Sequence, residues 1–188
     1  NNIINKKLKI LIVTDEDSWI NEYIDSFITD LYNLNNDVRC VHKINDIKKG
    51  DICILLGCSQ YMNKKNRQKN KNNIVVHESF LPKGKGWSPL SWQILEGKNI
   101  IPISLIEVEE KIDSGQIYSQ SIMKFEGHEL IDEMRKIQAK KSFDLCKSFI
   151  LEYPKSISKG KKQKGKSSYY RQRIPSDSEI DINKTFSK

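Results

Sequence analysis

The sequence predicts an α/β fold, an open and mostly parallel sheet flanked by helices, with the greater part of its 188 residues in one domain. Three observations carry the expectation. Short apolar, β-branched runs stand at residues 7–14, 37–42, 51–56 and 73–77. A helical period separates the first two, giving the β-α-β-β order of a parallel sheet. A longer amphipathic stretch then covers residues 129–153.

Each element has its own justification. KLKILIVT (7–14) is apolar throughout, as a strand covered on both faces must be. The following DEDS is rich in N-cap residues. Ile20, Ile24, Phe27, Ile28, Leu31 and Leu34 then recur at helical spacing until Asn35-Asn36 breaks the pattern. DVRCVH (37–42) and DICILL (51–56) read as the second and third strands, the third ending at Gly57. NKKNRQKNKNN (63–73) is polar, basic and of low complexity, the composition of a solvated helix or loop. NIVVH (73–77) is the fourth strand. Ligands of open α/β sheets sit beyond the carboxyl ends of strands, which is where His77 falls.

Beyond His77, Leu81-Pro82 turns the chain. Gly84 and Gly86, interleaved with Lys83 and Lys85, let the backbone approach a ligand. Ser88 is the expected N-cap of a helix with Pro89 at its first position, continued by Leu90, Trp92, Ile94 and Leu95 and stopped by Gly97. The amides at its start, beside two lysines, suit a phosphate or carboxylate. NIIPISLIEV (99–108) reads as a strand with Pro102 marking an edge or bulge. Residues 109–115 form a charged turn containing Asp113, and QIYSQSIM (116–123) alternates as a partner strand. In the helix over 129–153 the expected buried face is Leu130, Met134, Ile137, Phe143, Leu145 and Phe149, and Pro154 ends it. Residues 155–168 (KSISKGKKQKGKSS) read as a flexible basic linker, before the order-prone Tyr169-Tyr170-Arg171-Gln172-Arg173. The division is thus a body over 1–153 and a basic C-terminal segment over 154–188.

Charge and cysteines narrow the function classes. The net charge is +8, but residues 155–188 hold ten Lys/Arg against three Asp/Glu and residues 1–154 hold 22 against 21. The excess belongs to the tail, which can meet any anion and is weak evidence for nucleic acid. No apolar run approaches the roughly 20 residues of a membrane span, and no secretory leader is read at the start. Cys40, Cys53, Cys58 and Cys146 are scattered without metal-ligand spacing, so reduced thiols in a cytoplasmic protein are expected and no metal. The first strand–helix turn, Thr14-Asp15-Glu16-Asp17, has no glycine, which excludes a dinucleotide fingerprint.

Residues 77–120 carry the most specific signal. The pattern H-x-S-x-L-P-x-G-x-G-x-S-P, then W-x-I-L-x-G, then D-S-G-x-I, resembles the formyltransferase family that uses N10-formyltetrahydrofolate. That family includes methionyl-tRNA formyltransferase, glycinamide ribonucleotide transformylase and the sugar N-formyltransferases. HESFLPKGKGWSPLSWQILEGKN and the terminal YYRQRIPSDSEIDINK look most like the sugar-acting branch. The resemblance implies a Rossmann-like formyltransferase domain and N10-formyltetrahydrofolate as one-carbon donor. The implied acceptor is the amine of a nucleotide-linked sugar (UDP or dTDP; a 4-amino-4,6-dideoxy sugar), in surface-polysaccharide biosynthesis. It implies His77 and Asp113 as catalytic residues. The family's Asn position, two before the histidine, holds Val75; Asn73, about 6–7 Å further back on the same strand face, is the remaining candidate. Leu81, Pro82, Val108, Glu109, Glu110 and Lys111 resemble the segments lining the folate pocket. Trp19, Lys83, Lys85, Trp87, Tyr170 and Arg171 are the candidates for the nucleotide sugar. Sugar formyltransferases commonly continue beyond the point matching Lys188, so a further C-terminal part is expected. A homodimer through a sheet edge is compatible with the pattern.

Two other readings stand beside this one. A non-catalytic relative, degenerate at Val75, would bind folate or nucleotide sugar without turnover; a relative acting on another amine, such as methionyl-tRNA, would share the same motif. A nucleic-acid module using the tail and the 63–73 loop would show binding that falls steeply with salt.

Overall fold

The first strand lies second from one edge of a six-stranded sheet whose order is not that of the chain. The structure, a computed structural model, describes residues 7–179. Its elements are β1 (Lys9–Val13), α1 (Ile24–Asn33), β2 (Asp37–Val41), β3 (Gly50–Leu55), α2 (Lys64–Arg67), β4 (Asn70–His77), β5 (Lys85–Gly86), α3 (Pro89–Leu95), β6 (Ile100–Glu107), β7 (Ile117–Lys124), α4 (Ile131–Leu151) and β8 (Tyr169–Tyr170). The main sheet runs β2-β1-β3-β4-β6-β7, and β5 pairs with β8 in a small second sheet. The pairings among β2, β1, β3 and β4 are parallel. Those of β4 with β6 and of β6 with β7 are antiparallel; β6 and β7 are joined directly through residues 108–116, whereas β5 and α3 lie between β4 and β6. The sheet is therefore mixed, parallel over most of its strands, as an α/β domain of this kind requires.

Strand alternation sorts the core into two clusters. Ile10, Ile12, Ile52, Ile54, Ile74, Ile101, Ile103 and Leu105 face the side covered by α1 and α4, where Phe27 and Phe143 stack at 4.5 Å. Leu11, Val13, Cys53 and Leu55 face the other side with Ile44, Ile47 and Met62, and Val75 and Val108 pack half-buried against them. Burial pushes the Cys53 thiol up to about 12, so it stays protonated at neutral pH.

Several local expectations are corrected. A 3-10 turn (Trp19–Glu22) precedes α1, capped by the Ser18 hydroxyl accepting from the Ile20 N–H. Asn35 ends α1 in the left-handed conformation at φ 64° that asparagine tolerates well. β4 begins at Asn70, three residues early: Asn72 donates to Glu107 and to the Tyr118 hydroxyl, and Tyr153 donates back to Asn72, so a polar strand is buried without wasting its amide. Ser88 does stand at the start of α3, but at φ 45° and with no capping bond from its side chain. Leu130 precedes α4 and is exposed, while Glu133 accepts from its N–H; Leu145 and Phe149 are buried as expected.

The largest correction concerns residues 155–168, expected as a flexible linker. After a 3-10 turn (Lys155–Lys159) the chain is hydrogen-bonded along the body: Lys161 and Ile117 exchange two backbone bonds of 2.8 and 2.9 Å. Ser168 then accepts from Gly84 N–H through its hydroxyl and from Lys85 N–H through its carbonyl, and β8 pairs with β5. The approach is so close that a Cβ on Gly86 (φ 94°) would lie 2.4 Å from the Tyr170 carbonyl oxygen. Residues 155–171 form a strap over one end of the sheet.

Candidate active site

His77 is the last residue of β4, on the same face as Asn73 and Val75. Its position is fixed from several sides. Glu78 receives a bond from Gln138 of α4 and gives its carbonyl to Gln93 of α3, and the Ser104 hydroxyl donates to the Ser79 carbonyl. Asp113 lies in the β6–β7 connection at φ 55°, left-handed backbone that Asp adopts more readily than most residues. The tightness of that connection depends on Gly115, whose Cβ would fall 1.8 Å from the Glu107 carbonyl oxygen.

The fold brings these two side chains together. His77 Nδ1 is 3.5 Å from Asp113 Oδ1, and the side chains are 8% and 10% exposed. On its far side His77 Nε2 lies 2.7 Å from the Gly84 carbonyl oxygen. A carbonyl can only accept, so Nε2 carries the proton of that bond. The far oxygen of the carboxylate, Asp113 Oδ2, accepts from Gly86 N–H at 2.8 Å. The glycine loop thus anchors both partners through its backbone. Each side chain keeps one polar atom, Nδ1 and Oδ1, for a reacting group.

The other candidates divide. Asn73 is not brought to this pair. It is four strand residues away, about 13 Å, its amide N–H donates to the Arg67 carbonyl, and its Oδ1 is buried without a partner. Val108 packs beside Val75, and the Tyr61 hydroxyl donates to the Glu110 carbonyl. The backbone N–H groups of Glu109, Glu110 and Lys111 donate to no protein group among the described residues. Leu81 is buried, and Pro82, which follows it through a cis peptide bond, gives its carbonyl to Ser168 N–H. Lys83 and Trp87 are exposed beside the glycine loop. Lys85 is instead buried, its ammonium 5.8 Å from the Tyr169 ring, which withdraws it from a phosphate role. Trp19 packs on the α4 side of the sheet under the Arg135 guanidinium, away from the face of His77. Tyr170 stacks on Trp92, and Arg171 lies over the same ring while pairing bidentately with Asp177. Both serve to fasten the strap to α3.

The residues that hold the pair were not visible beforehand: the Gly84 carbonyl, the Gly86 amide, Ser168 and Gln163. A glycine loop signals close approach, but nothing in KKQKGKSS says that the approaching group is the chain itself. A cavity of about 540 Å³ lies at the amino ends of the strands, lined by Leu8, Asp51, Lys71 and Tyr153, far from the pair. Among the described residues no group of three His, Cys, Asp or Glu is placed to hold a metal ion, and no helix is long and apolar enough to cross a membrane.

The sheet, the strand-end histidine and the aspartate facing it from a hairpin turn define a group-transfer domain of the formyltransferase kind. The formyl transferase family matches residues 10–143, and the chain belongs to that family. Methionyl-tRNA formyltransferase of Finegoldia magna is 26% identical over 132 residues, 70% of this chain and 42% of that protein. The chain thus spans less than half the length of this curated relative. Among solved structures, methionyl-tRNA formyltransferase from Clostridium thermocellum superposes with a TM-score of 0.80 at 21% identity, covering 95% of this chain and 78% of the other. The formyltransferase PseJ from Anoxybacillus kamchatkensis, in complex with UDP-4,6-dideoxy-4-formamido-L-AltNAc and tetrahydrofolate, has a TM-score of 0.59 at 19% identity and covers 86% and 85%. At these identities the structural likeness establishes the fold.

Proposed function

We propose that this domain transfers a formyl group from N10-formyltetrahydrofolate to the primary amine of a nucleotide-linked amino sugar. The observation that carries the reading is the His77–Asp113 pair, with Nδ1 and Oδ1 at 3.5 Å and both far sides anchored. The donor supplies the formyl carbon. Its flat, hydrogen-bonding ring suits the segment 108–111, where the open backbone amides of residues 109–111 follow Val108, half-buried against the same apolar cluster as Val75.

The chain's own residues then have defined tasks. The attacking amine must lose a proton and the leaving nitrogen must gain one. Asp113 Oδ1 accepts the amine proton, its other oxygen being held by Gly86. His77, with its Nε2 proton on the Gly84 carbonyl, presents Nδ1 to the same proton path and, when protonated there, stabilises the oxyanion. Lys161, Lys162, Lys164 and Lys166 are exposed on the strap beside this site, and none is in an ion pair among the described residues. They favour an acceptor carrying phosphates.

A second reading, methionyl-tRNA as acceptor, is favoured by the curated relative and would use the same lysines. One experiment separates the two. The protein is incubated with N10-formyltetrahydrofolate and, in parallel, UDP- and dTDP-linked 4-amino sugars and methionyl-tRNA, and a gain of one formyl group is sought by mass spectrometry. Formylation of a sugar supports the first reading and of the tRNA the second. No product from any acceptor counts against both.

A further inference from the structure

Gln163 reaches the site from the strap. Its side-chain amide donates to the Asp113 carbonyl at 2.7 Å and to the Gly115 carbonyl at 2.9 Å, so both N–H groups are spent across the turn that carries the carboxylate. Its Oε1 is buried with no partner. Leaving such an acceptor unpaired is destabilising, and a leucine of similar size would avoid it. The turn also needs an outside hold. Asp113 is left-handed at φ 55°, a conformation unfavourable for a residue with a Cβ. The internal bonds of the turn, from Ser114 to the Lys111 carbonyl, do not involve the Asp113 backbone.

We propose that Gln163 is a positioning residue, which fixes the Asp113 backbone so that the carboxylate meets Gly86 N–H on one side and His77 on the other. The kinetic part rests on the formyl-transfer reading; the geometric part does not. A reacting group misplaced by about 1 Å can cost on the order of 100-fold in rate. Gln163 spends both amide N–H groups on the backbone of the turn and so acts through Asp113.

The test uses the full chain with Gln163→Leu and Gln163→Glu, and two readouts. The first is hydrogen-exchange protection of the Gly86 amide by NMR, since that amide reports the carboxylate directly. The second is kcat and KM for donor and acceptor. The expected result for Gln163→Leu is a loss of Gly86 protection of about tenfold or more and a kcat about 10- to 100-fold lower, with both KM values within about twofold. In Gln163→Glu the protection recovers on acidification, because the neutral acid regains one O–H donor. In an Asp113→Asn background, Gln163→Leu costs no further turnover, as expected of residues acting as one unit. Unchanged Gly86 protection, an intact kcat, or a change confined to KM overturns the assignment. If the unmutated protein formylates no acceptor, the transfer reading fails, while Gly86 protection still decides whether Gln163 sets Asp113.

Discussion

Asp113 divides its carboxylate between two neighbours: Oδ2 is held at 2.8 Å by the Gly86 amide, while Oδ1 faces His77 Nδ1 at 3.5 Å. One oxygen is structural and the other is free for a proton. Asp113→Asn can keep the Gly86 bond through its amide oxygen, but then presents an NH2 donor to the imidazole. Turnover is expected to fall by about 10²- to 10⁴-fold, with donor and acceptor binding retained by calorimetry. His77→Ala should fall by a similar factor, and the double variant by little more than either alone. Formyl transfer retained within threefold in either single variant would remove the pair from the chemistry.

Val75 and Asn73 offer a paired test of the strand. Asn73 spends its amide on the Arg67 carbonyl, so Asn73→Ala should leave turnover within about twofold and cost about 1 kcal/mol of stability. Val75 occupies the position where the family pattern has asparagine. Val75→Asn adds a donor on the His77 face, and one well-placed oxyanion donor is worth on the order of 10²–10³ in kcat. A rise of at least tenfold in kcat is expected, measured at saturating donor and acceptor.

Gly86→Ala should undo the strap. The new Cβ would lie 2.4 Å from the Tyr170 carbonyl, on backbone at φ 94° that alanine rarely adopts. A loss of roughly 2–3 kcal/mol is expected, seen as a lower melting temperature. Trypsin should then cut within 161–166 faster than in the unmutated protein, because those lysines would no longer lie on a pinned backbone.

Glu107 gives a pH signature. Burial pushes its carboxyl above the usual range, against the opposing bonds from Asn73 N–H, Tyr118 and Asn72. The folded state therefore holds a proton that the unfolded chain has released, and the associated stabilisation is lost as pH rises through the folded value. The stability of the unmutated protein minus that of Glu107→Gln should thus be greater at pH 4.5 than at pH 8. Denaturant midpoints at the two pH values measure it, and a difference that grows with pH would contradict the sign.

The sheet and the meeting of His77 with Asp113 were legible because each depends on local pattern: apolar runs of strand length, a histidine at a strand end, an Asp-Ser-Gly turn. The residues that complete the site were not. Tyr170 and Arg171 look like ligand-binding residues, since aromatic and cationic groups near a basic run suit a nucleotide. In the fold they spend those properties on Trp92 and Asp177. Lys85 reads as a phosphate ligand until β8 covers it. Ser88 has the chemistry of an N-cap, but the glycine loop delivers it in a left-handed conformation with no capping bond. In each case a long-range contact, invisible in sequence spacing, overrules a sound local preference.

The strap also sets an order of events. The main sheet is complete at Lys124, and α4 can cover it as soon as Leu151 is made. The loop of Gly84 and the turn of Asp113 must wait for Gln163, Ser168 and Tyr170. During synthesis a body with a sound core would therefore exist before its reactive centre is assembled. The surroundings of His77 and Asp113 would be completed only when residues 161–170 have folded back onto the glycine loop and the Asp113 turn.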